Sequence, residues 1–361
     1  MSDIYDVAIV GAGMAGASLA AALAGDRRTV LLEAEDTPGY HATGRSAAFW
    51  TESYGGPAIQ PLTAASGPFL RDGGFLRPRA ALTIGREGQE PQIDAFVSRF
   101  AALGVDVERV GREQLSRAIP GLRKAWTCGA LEPSCCDIDV AALHQHYLAA
   151  ARGKGAQLLT RTRLASARHG QAGWLLDLAD GAQLRARLLV NAAGAWADRV
   201  AVCAGIAPIG IEPFRRTIAQ IRVSPPAPDD LPLVLDIAER FYFKSEAGAL
   251  WLSPHDETPS LPADAAPEEI DVAQAIDRLE RVVDWKVERV EHRWAGLRSF
   301  APDRLPVYGY DEADPAFFWF AGQGGFGIQT APEAARLAAG LIVGGYSGPI
   351  DPDRYAPTRF S

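Results

Sequence analysis

Residues 5–16 read Tyr-Asp-Val-Ala-Ile-Val-Gly-Ala-Gly-Met-Ala-Gly, and residues 17–23 continue with a run rich in helix formers. A short apolar strand, a glycine turn and a helix in this order are typical of a dinucleotide-binding unit. Each glycine has a physical role. Gly11 permits the tight turn, Gly13 lets the backbone approach a pyrophosphate, and Gly16 lets the helix pack closely on the strand.

The beginning of that helix, which includes Ala15, presents free backbone amides and a partial positive charge to phosphate groups. A second strand is predicted over residues 29–32 and ends at Glu33. A carboxylate at this point accepts hydrogen bonds from ribose hydroxyls and repels a 2′-phosphate, which disfavours NADP. A glycine-rich turn without a ligand is the alternative, and this context argues against it. The unit alone does not distinguish FAD from NAD.

Composition and charge exclude several classes of function. The chain has 361 residues, of which 48% are hydrophobic and 22% charged, as in ordinary globular proteins, and its length favours two domains. A net charge of -8 argues against nucleic-acid binding, which needs clustered Lys and Arg. The apolar runs are shorter than the roughly 20 residues that span a bilayer. Acidic residues within residues 1–6 argue against a signal peptide, so we expect a cytoplasmic protein without an integral membrane segment.

The four cysteines are interpreted as free thiols in a reducing compartment, although the adjacent pair Cys135-Cys136 could react. None of them forms a Cys-x-x-Cys pair, so we expect no metal site.

Three further segments carry a resemblance to a known family. They are residues 38–48, Pro-Gly-Tyr-His-Ala-Thr-Gly-Arg-Ser-Ala-Ala, residues 188–197, Leu-Leu-Val-Asn-Ala-Ala-Gly-Ala-Trp-Ala, and residues 322–330, Gly-Gln-Gly-Gly-Phe-Gly-Ile-Gln-Thr. Together with residues 63–66 and 294–300, they make the chain similar to the D-amino-acid oxidase superfamily of FAD enzymes, essentially from end to end. Within that superfamily the chain most resembles the bacterial FAD-dependent D-arginine dehydrogenases.

The resemblance implies an α/β fold in which a Rossmann-like FAD-binding domain is interleaved with an α+β substrate domain built on an antiparallel sheet. We assign residues 1–76, 137–208 and 294–361 to the FAD-binding domain, and residues 77–136 and 209–293 to the substrate-binding domain. Strand-like runs at residues 234–237, 240–244 and 248–252 are expected to form the sheet above the flavin.

The expected cofactor is FAD. We expect it to be held non-covalently, because no cysteine follows Cys203, where related covalent flavoproteins have one. Gly44-Arg45-Ser46 is expected to open a second helix that faces the cofactor, and the glycine pair at 324–325 to let the backbone approach the flavin ring. His41 is interpreted as a structural residue or a neighbour of the cofactor. The predicted cofactor residues are Gly11, Gly13, Ala15, Gly16, Glu33, Gly44, Arg45, Ser46, Ala47, Ala193, Gly194, Trp196, Arg298, Gly324, Gly325, Gly327, Ile328 and Gln329.

On the substrate side, the resemblance implies a carboxylate clamp. Arg298 matches the arginine that pairs with the substrate carboxylate in the dehydrogenases, and Arg216 matches a second arginine. Tyr54 and Tyr242 match tyrosines that close the active site and donate hydrogen bonds. A guanidinium grips a carboxylate through two parallel bonds, which fixes its orientation. Two alternatives stay open: Arg216 could be a surface residue, and Tyr242 an ordinary aromatic residue of a strand.

Two departures from the family pattern alter the expected substrate. Ala81 stands where the arginine-specific enzymes have a glutamate, and Phe49 stands where they have a histidine. A charged side chain would therefore lose its partner, which is costly in a desolvated site, so a neutral or apolar side chain is favoured. We predict oxidative deamination of a D-amino acid by hydride transfer from the alpha carbon to flavin N5. The imino acid would hydrolyse to a keto acid and ammonia, and oxygen or a quinone-like acceptor would reoxidise FAD.

Two other functions remain open at this point. The same architecture could oxidise a secondary amine, a 2-hydroxy acid or a glycerol phosphate. An alcohol would need a base near N5, and the absence of a second basic cluster argues against a phosphate ester. The chain could also be a flavin-binding assembly factor without turnover, against which the carboxylate clamp argues.

Overall fold

A computed structural model describes residues 4–360. Residues 1–3 and 361 therefore lie outside the described residues. They belong to the predicted FAD-binding domain, and residues 1–3 are also the first half of the acidic N-terminal segment. The strands, in chain order, are β1 (Tyr5–Val10), β2 (Thr29–Leu32), β3 (Phe49–Trp50), β4 (Leu76–Pro78), β5 (Ala81–Arg86), β6 (Glu108–Gly111), β7 (Trp126–Glu132), β8 (Cys136–Ile138), β9 (Gln157–Leu159), β10 (Leu164–Gly170), β11 (Gly173–Leu178), β12 (Gln183–Asn191), β13 (Glu212–Ser224), β14 (Leu233–Asp236), β15 (Tyr242–Glu246), β16 (Ala249–Ser253), β17 (Thr258–Pro259), β18 (Lys286–Phe300), β19 (Val307–Tyr310) and β20 (Phe317–Ala321).

The helices are α1 (Met14–Leu23), α2 (Gln60–Asp72), α3 (Glu90–Ala101), α4 (Arg112–Ala118), α5 (Val140–Gly153), α6 (Ala197–Cys203), α7 (Glu269–Glu280) and α8 (Ala331–Val343). Short 3-10 helices cover Gly194–Trp196, Pro352–Tyr355 and Pro357–Phe360. Within residues 4–360, no helix has both the length and the apolar character that a membrane crossing requires.

The first sheet has eight strands and a parallel centre in which β20, β12, β1, β2 and β9 are neighbours. The side chains of β2 are all buried, and those of β1 nearly all, which fits strands covered on both faces. Helices α1, α5 and α8 pack on one face with Val7 and Ile9. Helix α6 and strands β10 and β11 cover the other face with Ala8 and Val10. The carboxyl ends of the parallel strands therefore meet along one edge, where ligands bind in such sheets.

The second sheet has nine strands, drawn from residues 81–132 and 212–300. Its longest pair is β13 with β18, antiparallel from Glu212 opposite Phe300 to Ser224 opposite Lys286. The expected antiparallel sheet is mixed at one point, because β14 pairs with β5 in parallel. Helix α7 packs against β13 and β16 over a buried apolar cluster.

A third sheet, in the order β3, β8, β4, joins the two larger ones. The segment before it contradicts one prediction, because Gly44 does not open a helix. Residues 38–45 form consecutive turns, and the Gly44 amide donates to the carbonyl of Gly39 over 2.8 Å. Gly39 has φ +81, and a Cβ there would lie 2.9 Å from the His144 ring. This left-handed, crowded position bends the chain back instead of starting a helix.

Candidate active site

A cleft of about 390 Å³ lies at the carboxyl edge of the parallel strands. It is lined by the turn after β1, the residues after β2, residues 39–46, the turn after β12 and the loop before α8. All predicted cofactor residues line this cleft except Gly16, Gly44, Ala47 and Gln329. The structure thus brings together segments that are separated by up to three hundred residues in the chain.

The glycine turn at the base of the cleft leaves no room for side chains. Gly11 has φ +101, and a Cβ there would lie 2.5 Å from the carbonyl oxygen of Ala192. Gly16 lies outside the cleft lining, and its Cβ would lie 1.8 Å from the carbonyl oxygen of Gly11. Gly13 caps α1 without a side-chain bond, so the amides of the first turn, including Ala15, have no acceptor within the helix. The Met14 amide donates to the Thr43 hydroxyl over 2.9 Å, so the Ala15 amide, which lines the cleft, is the one available to a phosphate oxygen.

Glu33 stands beside this turn as a fixed acceptor. One carboxylate oxygen accepts from the amide of Ala12 over 2.9 Å, and the other accepts from the amide of Glu35 over 3.0 Å. Each oxygen keeps a further lone pair, as binding a ribose hydroxyl requires.

The middle of the cleft contains a polar atom without a partner. His41 bonds Glu35 through Nε2 over 3.0 Å, and its ring centroid lies 4.7 Å from that of Trp196. Its Nδ1 is buried and has no hydrogen-bond partner. Buried polar groups are normally satisfied, so this atom is an exception among the residues that line the cleft.

Arg45 lines the cleft, but its guanidinium is engaged by the protein. It donates to the carbonyls of Ala265 over 2.9 Å and Ala295 over 3.3 Å, and forms an ion pair with Asp264. The guanidinium also lies over the ring of Tyr40 at 4.8 Å. Arg45 therefore fastens the segment around Asp264 across the mouth of the cleft.

A second, smaller cavity of about 20 Å³ adjoins the first. It brings together the residues predicted for the substrate side. Its lining also includes Ser46 and Ala47 from the loop before β3, and Gly325, Ile328 and Gln329 from the loop before α8. The predicted residues among its lining are Tyr54, Arg216, Tyr242 and Arg298, and Phe49 completes the wall. Arg298 lines both cavities.

Arg298 is a buried cation without a protein partner. Its side chain is 8% exposed and forms no hydrogen bond or ion pair with residues 4–360. Burial lowers the pKa of Arg298, and the positive charge of Arg216 acts in the same direction, whereas Tyr242 opposes it. In the pairing of β13 with β18, Arg216 stands opposite Gly296, and both arginines lie on one face of the sheet. A desolvated, unpaired guanidinium is costly, so this position fits one that receives an anion from a ligand.

Arg216 is buried, so its interpretation as a surface residue is wrong. It is 3% exposed, and it donates to the carbonyl of Asp256 over 2.8 Å and to the carboxylate of Glu257 over 3.0 Å. Arg215 points to the other face of the sheet, where it bonds the buried Asp271 of α7 over 2.9 Å. Alternation along β13 separates the two arginines.

Three aromatic rings close the small cavity. The Phe49 ring lies edge-on to Tyr54 at 5.1 Å and to Tyr242 at 5.9 Å. Burial raises the pKa of Tyr242, although Arg216 and Arg298 act in the opposite direction, so its hydroxyl keeps the proton that it can donate. Ala81 packs in the same apolar cluster as Phe49 and Tyr242. Phe49, Tyr54, Tyr242 and Ala81 therefore offer no carboxylate to a basic side chain.

Gln329 supports Tyr54 from the other side. Its amide nitrogen donates to the Tyr54 carbonyl over 3.2 Å and to the Thr63 hydroxyl over 2.9 Å, while its oxygen accepts from the amide of Thr51 over 3.4 Å. These bonds occupy the side chain, so Gln329 shapes the substrate cavity and does not line the large cleft. Gly325 lies close by, because a Cβ on it would be 2.9 Å from the Tyr54 hydroxyl.

Sequence reasoning missed His255, which adjoins the cavity. Its ring lies 5.8 Å from Tyr242 and 6.4 Å from Tyr54, and its backbone has φ +53. The Nδ1 atom bonds the carbonyl of Glu239 over 2.5 Å, so Nδ1 carries the proton and Nε2 is an acceptor. Burial and the charge of Arg216 lower the pKa of His255 to about 3. A histidine shortly after a predicted strand was the only signal in the sequence.

A dinucleotide cleft and a substrate cavity that share one arginine define an oxidoreductase with a bound cofactor. The family model described as FAD dependent oxidoreductase, DAO, matches residues 6–341, and the chain belongs to this family. Its members use FAD, and the residues present fit this cofactor. The glycine turn leaves the space for a pyrophosphate, and both carboxylate oxygens of Glu33 keep a lone pair for ribose hydroxyls. Non-covalent attachment stays a prediction.

Relatives agree with this assignment. The chain is 28% identical over 239 residues to the hydrogen cyanide synthase subunit HcnC of Pseudomonas aeruginosa, covering 65% of this chain and 56% of HcnC. It is 30% identical to the glycerol-3-phosphate dehydrogenase of the same organism over 55% of this chain and 41% of that protein. The chain thus spans about half the length of these two relatives.

The glycine oxidase of Geobacillus kaustophilus matches over almost its whole length, with 25% identity over 95% of this chain and 94% of that protein. Its crystal structure has a TM-score of 0.87 to this chain, with 23% identity and 99% coverage of both. The comparison establishes the fold, and the amine and amino-acid chemistry of the family is consistent with the site. The particular likeness to D-arginine dehydrogenases stays a prediction.

Proposed function

We propose that this protein uses FAD to oxidise a small, neutral α-amino acid at its alpha carbon. The observation that carries the proposal is the buried, unpartnered guanidinium of Arg298, which lines both the cofactor cleft and the small cavity. A carboxylate is the anion that a guanidinium binds through two parallel bonds, and the pairing would relieve the cost of the buried charge. The D configuration, which rests on the resemblance of the sequence, is part of the proposal.

The aromatic wall supports a small side chain. The cavity of about 20 Å³ is lined by Phe49, Tyr54 and Tyr242, and Ala81 packs behind them. A lysine or arginine side chain would bring a charge without a partner to this wall, which is strongly unfavourable. The hydroxyls of Tyr54 and Tyr242 would donate to the substrate carboxylate and hold it in one orientation.

The charges of the cavity also bear on the protonation state of the substrate. Arg216 is paired with Glu257, but Arg298 has no counter-ion in the described residues, and a like charge disfavours an ammonium group. The amine would therefore bind in its neutral form and could release an electron pair as the alpha C–H bond breaks. Bound FAD supplies the two-electron acceptor. The organic product is an imino acid, and water replaces its C=N bond to give a keto acid and ammonia.

The test is anaerobic mixing of the holoenzyme with matched panels while the absorbance of oxidised flavin is followed. The panels are D- and L-alanine, D- and L-proline, glycine, sarcosine, lactate and D-arginine. We expect rapid bleaching by D-alanine and slow or no bleaching by D-arginine. Faster bleaching by L-alanine would overturn the D configuration alone. Bleaching by lactate alone would overturn the amino-acid assignment, and bleaching by sarcosine or proline alone would change it to a secondary amine. Bleaching by no compound would favour a role without turnover.

Reoxidation is tested on the reduced protein. Oxygen and a soluble quinone are added separately, and the return of the flavin absorbance is timed. We propose that the quinone reacts faster, as in the dehydrogenases that the sequence resembles. Equal or faster reaction with oxygen would make the protein an oxidase.

A further inference from the structure

Glu132 is a buried carboxylate at the end of β7, 2% exposed and outside both cavities. It accepts hydrogen bonds from the loop that follows β3. The donors are the Thr51 hydroxyl at 2.6 Å, the Glu52 amide at 2.7 Å, the Ser53 amide at 3.3 Å, the Ser53 hydroxyl at 2.5 Å and, from its own turn, the Ser134 hydroxyl at 3.4 Å. The three loop residues directly precede Tyr54.

This arrangement requires an acceptor with several lone pairs. An ionised carboxylate accepts at both oxygens and donates nothing, so it satisfies all five donors. The bonds reach across 79 to 81 residues of sequence, from the nine-stranded sheet to the loop that leaves the three-stranded sheet. Two of the donors are backbone amides, so the carboxylate fixes the path of the main chain itself. Gln329 fixes the same loop from the opposite side through the Tyr54 carbonyl and the Thr51 amide.

We propose that Glu132 is a positioning residue for substrate binding: it holds residues 51–53 so that the Tyr54 hydroxyl meets the substrate carboxylate. The contact between the Tyr54 hydroxyl and a substrate carboxylate rests on the proposed function, whereas the anchoring of the loop by Glu132 does not. The loop itself contains Gly55 and Gly56, both with positive φ, directly after Tyr54. Without the carboxylate, the chain on both sides of Tyr54 would be free to move, because glycine permits many backbone conformations.

The variant Glu132→Gln tests this function with little change of volume. Its amide nitrogen is a donor and would face donors of the loop, so at least one bond is lost and one contact becomes repulsive. We expect KM for the amino acid to rise about tenfold, which corresponds to about 1.4 kcal/mol, with kcat changed less than about threefold. The matched control is Glu113→Gln on α4, outside the loop. The Glu113 carboxylate is exposed and pairs with Arg117 one helical turn away, so KM should stay unchanged.

A double-mutant cycle separates positioning from general destabilisation. In the Tyr54→Phe background the hydroxyl is absent, so Glu132→Gln should raise KM no further. Additive effects in the double variant would overturn the proposal, because the carboxylate would then act independently of Tyr54. If Tyr54→Phe alone leaves KM unchanged, the role of Tyr54 in the proposed function fails instead.

Hydrogen exchange reports on the loop without any substrate. The amides of Glu52 and Ser53 donate to Glu132, so a peptide covering them should exchange slowly in the wild-type holoenzyme and faster in Glu132→Gln. Unchanged exchange would show that the carboxylate does not hold the loop. If Glu132→Gln fails to fold, Ser53→Ala replaces it, because this variant removes only one hydroxyl donor to Glu132. A double-mutant cycle of Ser53→Ala with Tyr54→Phe then tests the same coupling.

Discussion

The substitution Arg298→Met should make the protein more stable and nearly inactive. Methionine keeps much of the length of the side chain and removes the charge. Because the guanidinium is buried beside Arg216 without a protein partner, its removal should raise the unfolding free energy by about 1–4 kcal/mol, the range seen when buried ionic groups are replaced by apolar ones. The melting temperature should rise by a few degrees.

The loss of activity follows from the same position. Removing one partner of a buried, hydrogen-bonded charge pair costs about 2–5 kcal/mol, which lowers kcat/KM by roughly 30- to 5,000-fold. The assays are thermal unfolding of the holoenzyme by flavin fluorescence and anaerobic flavin reduction by the best amino acid of the panel. Arg293→Met is the control, because Arg293 lies on the same strand, is exposed and pairs with Glu269, so neither quantity should change.

A lower melting temperature for Arg298→Met at unchanged flavin content would refute the reasoning, because it would mean that the guanidinium has a stabilising partner in the holoenzyme. Unchanged kcat/KM would refute the carboxylate clamp separately. The combination of higher stability and lost activity is typical of a group kept for function at the expense of the fold.

Three further predictions concern the cofactor, the substrate and pH. Gly11→Ala should reduce bound FAD, because its Cβ would lie 2.5 Å from a carbonyl oxygen. The measurement is the ratio of flavin to protein absorbance. Gly88 also has positive φ but has nothing within 4 Å of its Cβ position, so Gly88→Ala should keep the wild-type ratio. Tyr242→Phe should raise KM about 10- to 100-fold in steady-state assays by removing a hydrogen bond to a charged group, and an unchanged KM would exclude that bond. His255 has its pKa lowered from 6.5 to about 3, so the unfolded chain takes up this proton first as pH falls. The contribution of neutral His255 to the unfolding free energy is fully present above pH 6.5. Between pH 6.5 and pH 3 it is lost at up to about 1.4 kcal/mol per pH unit. The unfolding free energy of His255→Gln, measured with denaturant, should therefore depend less on pH than that of the wild type.

The cofactor side could be predicted from the sequence because its signals are local. Strand β1, the glycine turn and the start of α1 follow one another within twenty residues, and Glu33 directly follows β2. Each step needs only neighbouring residues, so strand and helix patterns and glycine spacing were sufficient to predict the dinucleotide-binding unit. The family resemblance supplied the distant segments, and the cleft brings most of them together.

Residues whose roles depend on distant partners could not be predicted in this way. The turn at Gly44 replaced an expected helix because the chain bends back at Gly39, where positive φ and the nearby His144 ring leave room only for glycine. The burial of Arg216 depends on the loop at Asp256 and Glu257. Glu132 and His255 carry no motif, because their importance comes from the tertiary contacts that they make with the loop of Tyr54 and with Tyr242.

The position of Arg298 in the wall between two cavities has a thermodynamic consequence. One guanidinium borders both ligand sites, so the occupancy of one changes the electrostatic field and the side-chain freedom in the other. By linkage, the factor by which bound FAD changes the affinity for a carboxylate equals the factor by which the carboxylate changes the affinity for FAD. The cofactor content of the purified protein should therefore depend on which small organic acids accompany it, even those that the enzyme never oxidises.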